Sequence, residues 1–458
     1  ERIAESTSKT KEEIKAIYDE SETEIFDIPE NVLTANGIDP ARFKSLSPEM
    51  SKMYKAALRS STKEIVNLTR TTANTSQAAF INSCNVAQMK IMSGAFTFQE
   101  AIKNAILAAA EKDIEVIYPS GHITSLDAAC RCAVLTGFNQ TVIAMQEMRA
   151  DEFDIDVMEI TAHFGARPTH AEWQGQLVSR SGREGYLNLD DIGYGKVDGF
   201  MGANCRHDWN LFFEGYSKRL YSDEELERLK NQTVTYDGKE IKAYEATQKQ
   251  RELERIIKKD KRELVCLDEG IKNSTDEILK EELSKEFEKK AVRLKQHEAK
   301  LADFCNQTGL TRDRYREQQF AVKTEQGISA WTKSVNGKAV AIFEKNKLPN
   351  YKQAIISDEK IVGYALNKNH SRGKDKAIAF EKYLGYNVDN KDMLIEEIRK
   401  GISKNIATER PATEYGQPYE VTMKIKGANG KYATIKSGWQ IDNDTTKPRL
   451  VTVYIKGK

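Results

Sequence analysis

No stretch of eighteen apolar residues occurs in this sequence. The longest candidate, 101–110, is interrupted by Lys103 and Asn104. A bilayer-spanning helix needs about twenty such residues, so no membrane span is expected. Cysteine is scarce: the six in 458 residues show no paired spacing. That argues against a disulfide scaffold and for folding in a reducing compartment. The glycines between 193 and 202 are not followed by Gly-Lys-Ser/Thr, so they do not form a phosphate loop. Ser and Asp are too common for a Ser/His/Asp triad to be selected. No internal repeat or low-complexity run stands out. The first residue is Glu, so a native N-terminus is expected to be missing, with any signal it carries.

What is present is a length that favours two to four structural units, with 39% hydrophobic and 30% charged residues. The mean hydropathy of -0.61 points to much exposed helix. The net charge of +1 hides an asymmetry. Residues 343–458 carry 22 Lys and Arg against 14 Asp and Glu, a net of +8, and the remainder carries 48 against 55, a net of -7. A basic C-terminal part on an acidic body suggests different partners for the two; ordinary solvated lysines are the simpler reading.

Residues 1–47 are polar, with Asp27-Ile28-Pro29 and Asp39-Pro40 as breakers. The pattern from Ser47 to Ala110 is helical, opened by a Ser47 cap with Pro48 at the first helical position. Ala-rich segments at 78–88 and 101–110 suit close packing, and Gly94 marks a break. After the turn at 118–121 the spacing predicts a long helix over 126–148, then an alternating strand at 155–160. Gly-rich connections follow. Between 221 and 317 two apolar stripes, Leu253, Ile257, Leu264, Leu267, Ile271 and Leu283, Phe287, Leu294, Leu301, Cys305, flank Gly270 and the capping-box pattern Ser274-Thr-Asp-Glu277. They predict two antiparallel helices of about 25–30 residues, roughly 40 Å each, packed stripe to stripe with their charged faces in water. Tyr236-Asp-Gly-Lys239 predicts a small β-turn. Beyond a linker the pattern becomes α+β: helices at 374–384 and 391–404, strands at 418–426, 431–440 and 449–456, and a hairpin turn at 427–430.

The densest motif is Ala162-His-Phe-Gly-Ala-Arg-Pro-Thr-His-Ala-Glu-Trp-Gln-Gly175, with Gly202-Ala-Asn-Cys-Arg-His207 further on. This pair resembles the signature of phage minor capsid proteins, the head-morphogenesis proteins related to the Mu F-like family. The string Tyr118-Pro-Ser-Gly-His-Ile-Thr-Ser-Leu-Asp-Ala-Ala-Cys-Arg-Cys-Ala-Val-Leu-Thr-Gly137 and the end of the second long helix, Phe304-Cys-Asn-Gln-Thr-Gly-Leu310, extend the resemblance over roughly 50–315. It implies a structural role at or near the portal vertex of a tailed phage head, with the portal and major capsid proteins as partners and the virion as location, and no known enzymatic activity for this part.

The same segments hold the candidate metal ligands His163, His170, Cys205 and His207. Cys205 and His207 point to one face of an extended chain, and four N/S donors suit tetrahedral zinc. The Cys-x-His spacing is shorter than the usual knuckle, so no bound zinc and no cofactor are expected. His170 and His207 read as hydrogen-bonded core residues tying loops together. Thr169-His-Ala-Glu172 is a capping-box sequence; the competing reading makes Glu172 and His170 an acid–base pair. Cys130-x-Cys132 on a helix points to opposite sides, and Cys84, Cys266 and Cys305 read as small buried hydrophobes.

The C-terminal part holds the residues that look chemical. Asn367-Lys-Asn-His-Ser-Arg-Gly-Lys-Asp-Lys376 packs five basic or imidazole groups together, a cluster able to bind phosphate. His370 suits a general acid or base near neutral pH. Lys376, Tyr415, Arg449 and Thr452 complete the candidate catalytic set. Strict alternation along the last strand separates Arg449 from Thr452, which weakens a single cleft. The motifs Lys374 to Tyr386, Tyr415-Gly416, Trp439 and Arg449-Leu-Val-Thr-Val-Tyr454 resemble an uncharacterised domain found at the C-termini of polymorphic toxins and some phage proteins. Its helix-then-sheet order is similar to the barnase, EndoU and RelE-like ribonuclease superfold. The resemblance implies a ribonuclease-like toxin acting on host RNA, or an anchoring and decoration domain with solvated lysines; the basic charge also suits phage DNA.

The expected architecture is α+β: an N-terminal helical region (1–110), a mixed α/β minor capsid core (111–220), a charged helical hairpin (221–317), a linker (318–344) and a separate small α+β domain (345–458).

Overall fold

The computed structural model describes residues 28–57, 115–118, 123–314, 316–317 and 330–456, with a few single positions besides. The Ala-rich segment 78–88, Gly94 and Cys84 lie outside the described residues, as do most of 101–110 and of the 118–121 turn. The chain divides into two compact units. One comprises 1–234, 242–251 and 313–327, the other 235–241, 252–312 and 328–458.

The first unit starts with two short helices, α1 (Glu30–Ala35) and α2 (Pro40–Lys44). Asp39 caps α2 by accepting the Ala41 N–H at 2.9 Å, with Pro40 in the first turn where its missing donor costs nothing. Ser47 accepts the Met50 N–H, as its Ser-Pro signal predicts. A hairpin of β1 (Glu115–Ile117) and β2 (Ile123–Ser125) leads into α3 (Leu126–Glu152), four residues longer at its end than its apolar spacing suggests. Near the end of α3, Arg149 is buried. Its guanidinium pairs with Glu152 at 2.7 Å, donates to the Ser45 carbonyl and lies over Phe43. A cation taken from water so completely needs this many partners.

Next comes β3 (Val157–Ile160), the centre of an antiparallel sheet between β4 (Leu177–Ser179) and β5 (Trp209–Leu211), with the one-turn α4 (Pro168–Ala171) in the β3–β4 connection. All four residues of β3 are buried, so both faces are covered and the alternation read from the sequence does not mark a wet face. Leu33, Phe43, Met50, Ile143, Met158, Trp173, Phe200 and Trp209 belong to one core. The Gly-rich segment between β4 and β5 folds back on itself. A Cβ on Gly199 would lie 2.1 Å from the Gly193 carbonyl oxygen, and one on Gly202 would lie 2.4 Å from two carbonyl oxygens, so only glycine fits either place.

After α5 (Asp223–Lys230), which carries a full Ser222/Glu225 capping box, β6 (Thr233–Tyr236) and β7 (Lys239–Lys242) form the predicted hairpin about Asp237 and Gly238, both at positive φ. Two long helices follow, α6 (Ala243–Asn273) and α7 (Glu277–Thr308). Asp276, not Ser274, caps α7, accepting the Ile278 and Leu279 N–H groups. Their antiparallel sense shows in the ion pairs: Glu263 meets Lys290 at 2.7 Å, Asp260 meets Arg293 at 2.8 Å, and Lys261 meets Glu298 at 3.6 Å. The two apolar stripes are buried as predicted, except for half-buried Ile271, but several charged residues of α6 are not in water. Glu254, Lys258, Asp260, Lys261, Glu263 and Asp268 are all buried as well. Inside the predicted linker, 330–345 forms a helix, α8 (Ala330–Lys345), whose Lys338 pairs with Asp268 of α6 at 2.5 Å.

The C-terminal domain has a core of its own. Helices α9 (Lys374–Leu384) and α10 (Lys391–Lys404) fall where predicted. The sheet is antiparallel, in the order β11 (Arg449–Ile455), β10 (Tyr432–Asp442), β9 (Gly416–Lys426), β8 (Ala407–Glu409); the sequence does not announce β8. A register shift between Gly438 and Trp439 leaves Val451 unpaired. Leu450 and Val453, three apart, are therefore both buried. The alternation that separates Arg449 from Thr452 is corrected by this bulge. Lys424 of β9 pairs with Asp303 of α7 at 3.2 Å and with Asp237.

Gly401 of α10 sits where a Cβ would lie 2.0 Å from the Met423 sulfur of β9. Gly401→Val should destabilise the chain by about 1–3 kcal/mol, as overpacking of a filled core does. Equilibrium urea unfolding checks this; an unchanged midpoint would show slack between α10 and the sheet.

Candidate functional site

The two signature segments converge. His170 lies on α4, which begins at Pro168 with Arg167 ahead of it. The predicted capping box is not formed here: Glu172 is exposed and pairs with Lys230 at 2.6 Å, away from buried His170. The acid–base reading of Glu172 and His170 falls with it. The His170 Nε2–H donates to the Asp198 carbonyl at 2.8 Å, tying α4 to the Gly-rich loop. Its other nitrogen, Nδ1, lies 3.2 Å from Nδ1 of His207. The Cys205 sulfur is 3.8 Å from the His207 Nδ1 and 4.0 Å from the His170 Nδ1. His170, Cys205 and His207 are 1%, 4% and 1% exposed.

The surroundings hold these rings in place. Gln174 Oε1 accepts the His163 N–H at 3.1 Å and faces His207 Nε2 at 3.4 Å. The His163 ring stacks on that of His207, with centroids 4.4 Å apart, and Trp173 packs against both His170 and His207. Asn139 of α3 donates to the His207 carbonyl, and Arg167 to the Ala203 carbonyl, each at 2.9 Å. Burial pushes His207 down to about 2, and it lowers His163 and His170 also. Burial raises the Cys205 thiol and pushes Asp208 up to about 7. Three of the four candidate ligands read from the sequence thus bring their donor atoms together, while His163 stacks beside them with its Nδ1 at 3.0 Å from the Phe164 carbonyl. The spacing objection to a metal fails because His170 comes from a separate segment, folded against the Cys-x-His pair.

The C-terminal candidates gather less completely. The Lys376 ammonium of α9 donates to Thr452 Oγ1 at 2.7 Å and to the Tyr364 hydroxyl at 2.9 Å, and lies over the rings of Tyr364 and Tyr454. His370 meets Tyr364 edge to face, with ring centroids 5.0 Å apart. Its Nδ1 accepts the backbone N–H groups of Arg372 and Gly373, both at 3.1 Å, so His370 holds the entry to α9. Arg449 is held elsewhere, paired with Asp442 at 2.6 Å. Tyr415 is exposed in the turn at 413–416. Tyr364 was missed by sequence reasoning because it sits in a single π-helical turn, 361–365, outside the basic cluster. His370→Ala should cost about 1 kcal/mol, the typical worth of a side chain that satisfies free N–H groups at a helix start. Urea unfolding of the full chain measures it, and no loss would mean that those donors find other acceptors.

Comparison with known families covers nearly the whole chain. A model for a domain of unknown function (DUF6883) matches residues 347–457. No curated protein and no solved structure matches the chain. The family model described as phage minor capsid protein 2 matches residues 1–306, two thirds of the length and all of both signature segments, so the chain belongs to the phage minor capsid protein 2 family.

Proposed function

We propose that this chain is a minor structural protein of a tailed phage head, held internally or near the portal, where it acts in head assembly or in DNA packaging and ejection. The observation that carries this reading is the use made of the signature residues. His170, Trp173, Cys205 and His207 are buried and tie loops together, which suits residues that preserve a shape for partners. The portal and major capsid proteins are those partners. Among the described residues no helix is long and apolar enough to cross a membrane. Mass spectrometry of purified virions and proheads should find the protein in low copy in one or both. Its absence from both would overturn the assignment.

A second reading concerns 345–458, as a ribonuclease-like toxin domain carried on the capsid scaffold. It is favoured by one constellation: Lys376 against Tyr364 and Thr452, with His370 beside Tyr364. A cation held among hydroxyls can bind phosphate, and His370 is the general acid or base of this reading. The full chain should then cleave cellular RNA, bind it less as salt rises, and lose cleavage on Lys376→Ala. No cleavage by the parent chain returns this domain to the decoration class.

A further inference from the structure

We propose that His170, Cys205 and His207 bind one zinc ion through the two Nδ1 atoms and the sulfur. This goes beyond the capsid reading and stands apart from it.

The hydrogen-bond pattern sets the tautomers. Among the described residues His170 Nε2 faces only a carbonyl oxygen, that of Asp198, so it carries the proton and leaves Nδ1 as a lone pair. Gln174 Oε1 already accepts the His163 N–H, which fixes the amide orientation. The His207 Nε2 facing that oxygen therefore also carries a proton, and the His207 Nδ1 too is a lone pair. Two lone pairs 3.2 Å apart repel unless something positive lies between them. The thiol proton of Cys205 can serve only one of them, and at the length of a weak contact. A divalent cation serves both.

The distances fit. Zinc binds imidazole nitrogen at about 2.0–2.1 Å and thiolate at about 2.3 Å; tetrahedral angles then put two nitrogens about 3.3 Å apart and nitrogen and sulfur about 3.6 Å apart. The protein has 3.2 Å for the nitrogens, and 3.8 and 4.0 Å for the sulfur. All three donor atoms lie within 4.8 Å of one another. Each imidazole donates its remote N–H to a fixed oxygen, of Asp198 or of Gln174, the outer arrangement that orients metal-bound histidines. Two imidazoles and a thiolate are a donor set that zinc favours over magnesium or calcium. On binding, two Zn–N bonds and one Zn–S bond form, and the Cys205 S–H gives its proton to solvent, with no change of oxidation state. The fourth tetrahedral position is left to a small donor such as water. So buried an ion serves as a crosslink between α4 and the loop before β5, not as an open catalytic centre.

The test uses the full chain purified from zinc-replete cells without added chelator. Elemental analysis should give about one zinc per chain. The metal-stripped chain titrated with Co²⁺ should show thiolate-to-cobalt charge transfer and tetrahedral visible bands, both displaced by Zn²⁺. Cys205→Ser should remove the charge-transfer band. Gln174→Ala leaves every ligand in place and should weaken Co²⁺ binding about 10- to 100-fold, as loss of an outer partner does. Background zinc together with no cobalt spectrum in the folded parent chain would overturn the proposal. So would a charge-transfer band that survives in Cys205→Ser.

Discussion

The Gly-rich loop of the first unit is held by the His170–Asp198 hydrogen bond. Between β4 and β5 the chain buries Ile192 and Phe200 but is also rich in glycine, so burial alone does not set its course. Ordering such a segment costs roughly 1–2 kcal/mol of conformational entropy per residue, and the glycines at 193, 195, 199 and 202 cost more than most. The loop keeps a defined course because it is tied at named points: Asp198 to His170, Ala203 to Arg167, and the His207 carbonyl to Asn139 of α3. The imidazoles beneath it are packed against Trp173 and excluded from water. The signature that looks most like a reactive centre is therefore the fastening of the capsid fold.

In the second unit the constraint is electrostatic. Helix α6 carries its apolar stripe and a buried charged surface together. Asp260 sits between Arg293 and His297, Glu263 between Lys290 and Arg293, and Asp268 between Lys272 and Lys338. The carboxylates are buried while Arg293, Lys272 and Lys338 stay half-exposed, so each pair adds little, and loss of all the cations around one carboxylate would leave a buried charge unpaired. Such a hairpin tolerates few register errors, because a shift of one turn leaves a carboxylate without its cation. That is a different design from the stripe-to-stripe pair with both charged faces in water that the hydrophobic periodicity suggests.

Much of the fold was legible in the residues. The helices at 374–384 and 391–404, the long helix starting at 126 and the Asp237-Gly238 turn follow from spacing, caps and turn chemistry. Three things were not. The charged positions of α6 read as solvent-facing because periodicity says which face is apolar, not whether the other face is also covered. The bulge at Val451 breaks the alternation on which the separation of Arg449 from Thr452 rested, and nothing in Arg-Leu-Val-Thr announces it. The convergence of His170 with Cys205 and His207 is a long-range contact, and a spacing rule made for ligands within one knuckle cannot see it. Within the C-terminal candidate set, Lys376 and Thr452 meet, while Arg449 is committed to Asp442.

The bulge has one more effect. Strand β11 is an outer strand of its sheet, and an outer strand offers a row of unused backbone donors and acceptors that a second chain can copy. Here the row is broken twice. At its start the Leu450 N–H already donates to Ile355, whose own N–H is taken by Pro448. One residue on, the unpaired Val451 twists the strand out of register. What remains of this edge is a short, bent stretch, a poor template for another strand.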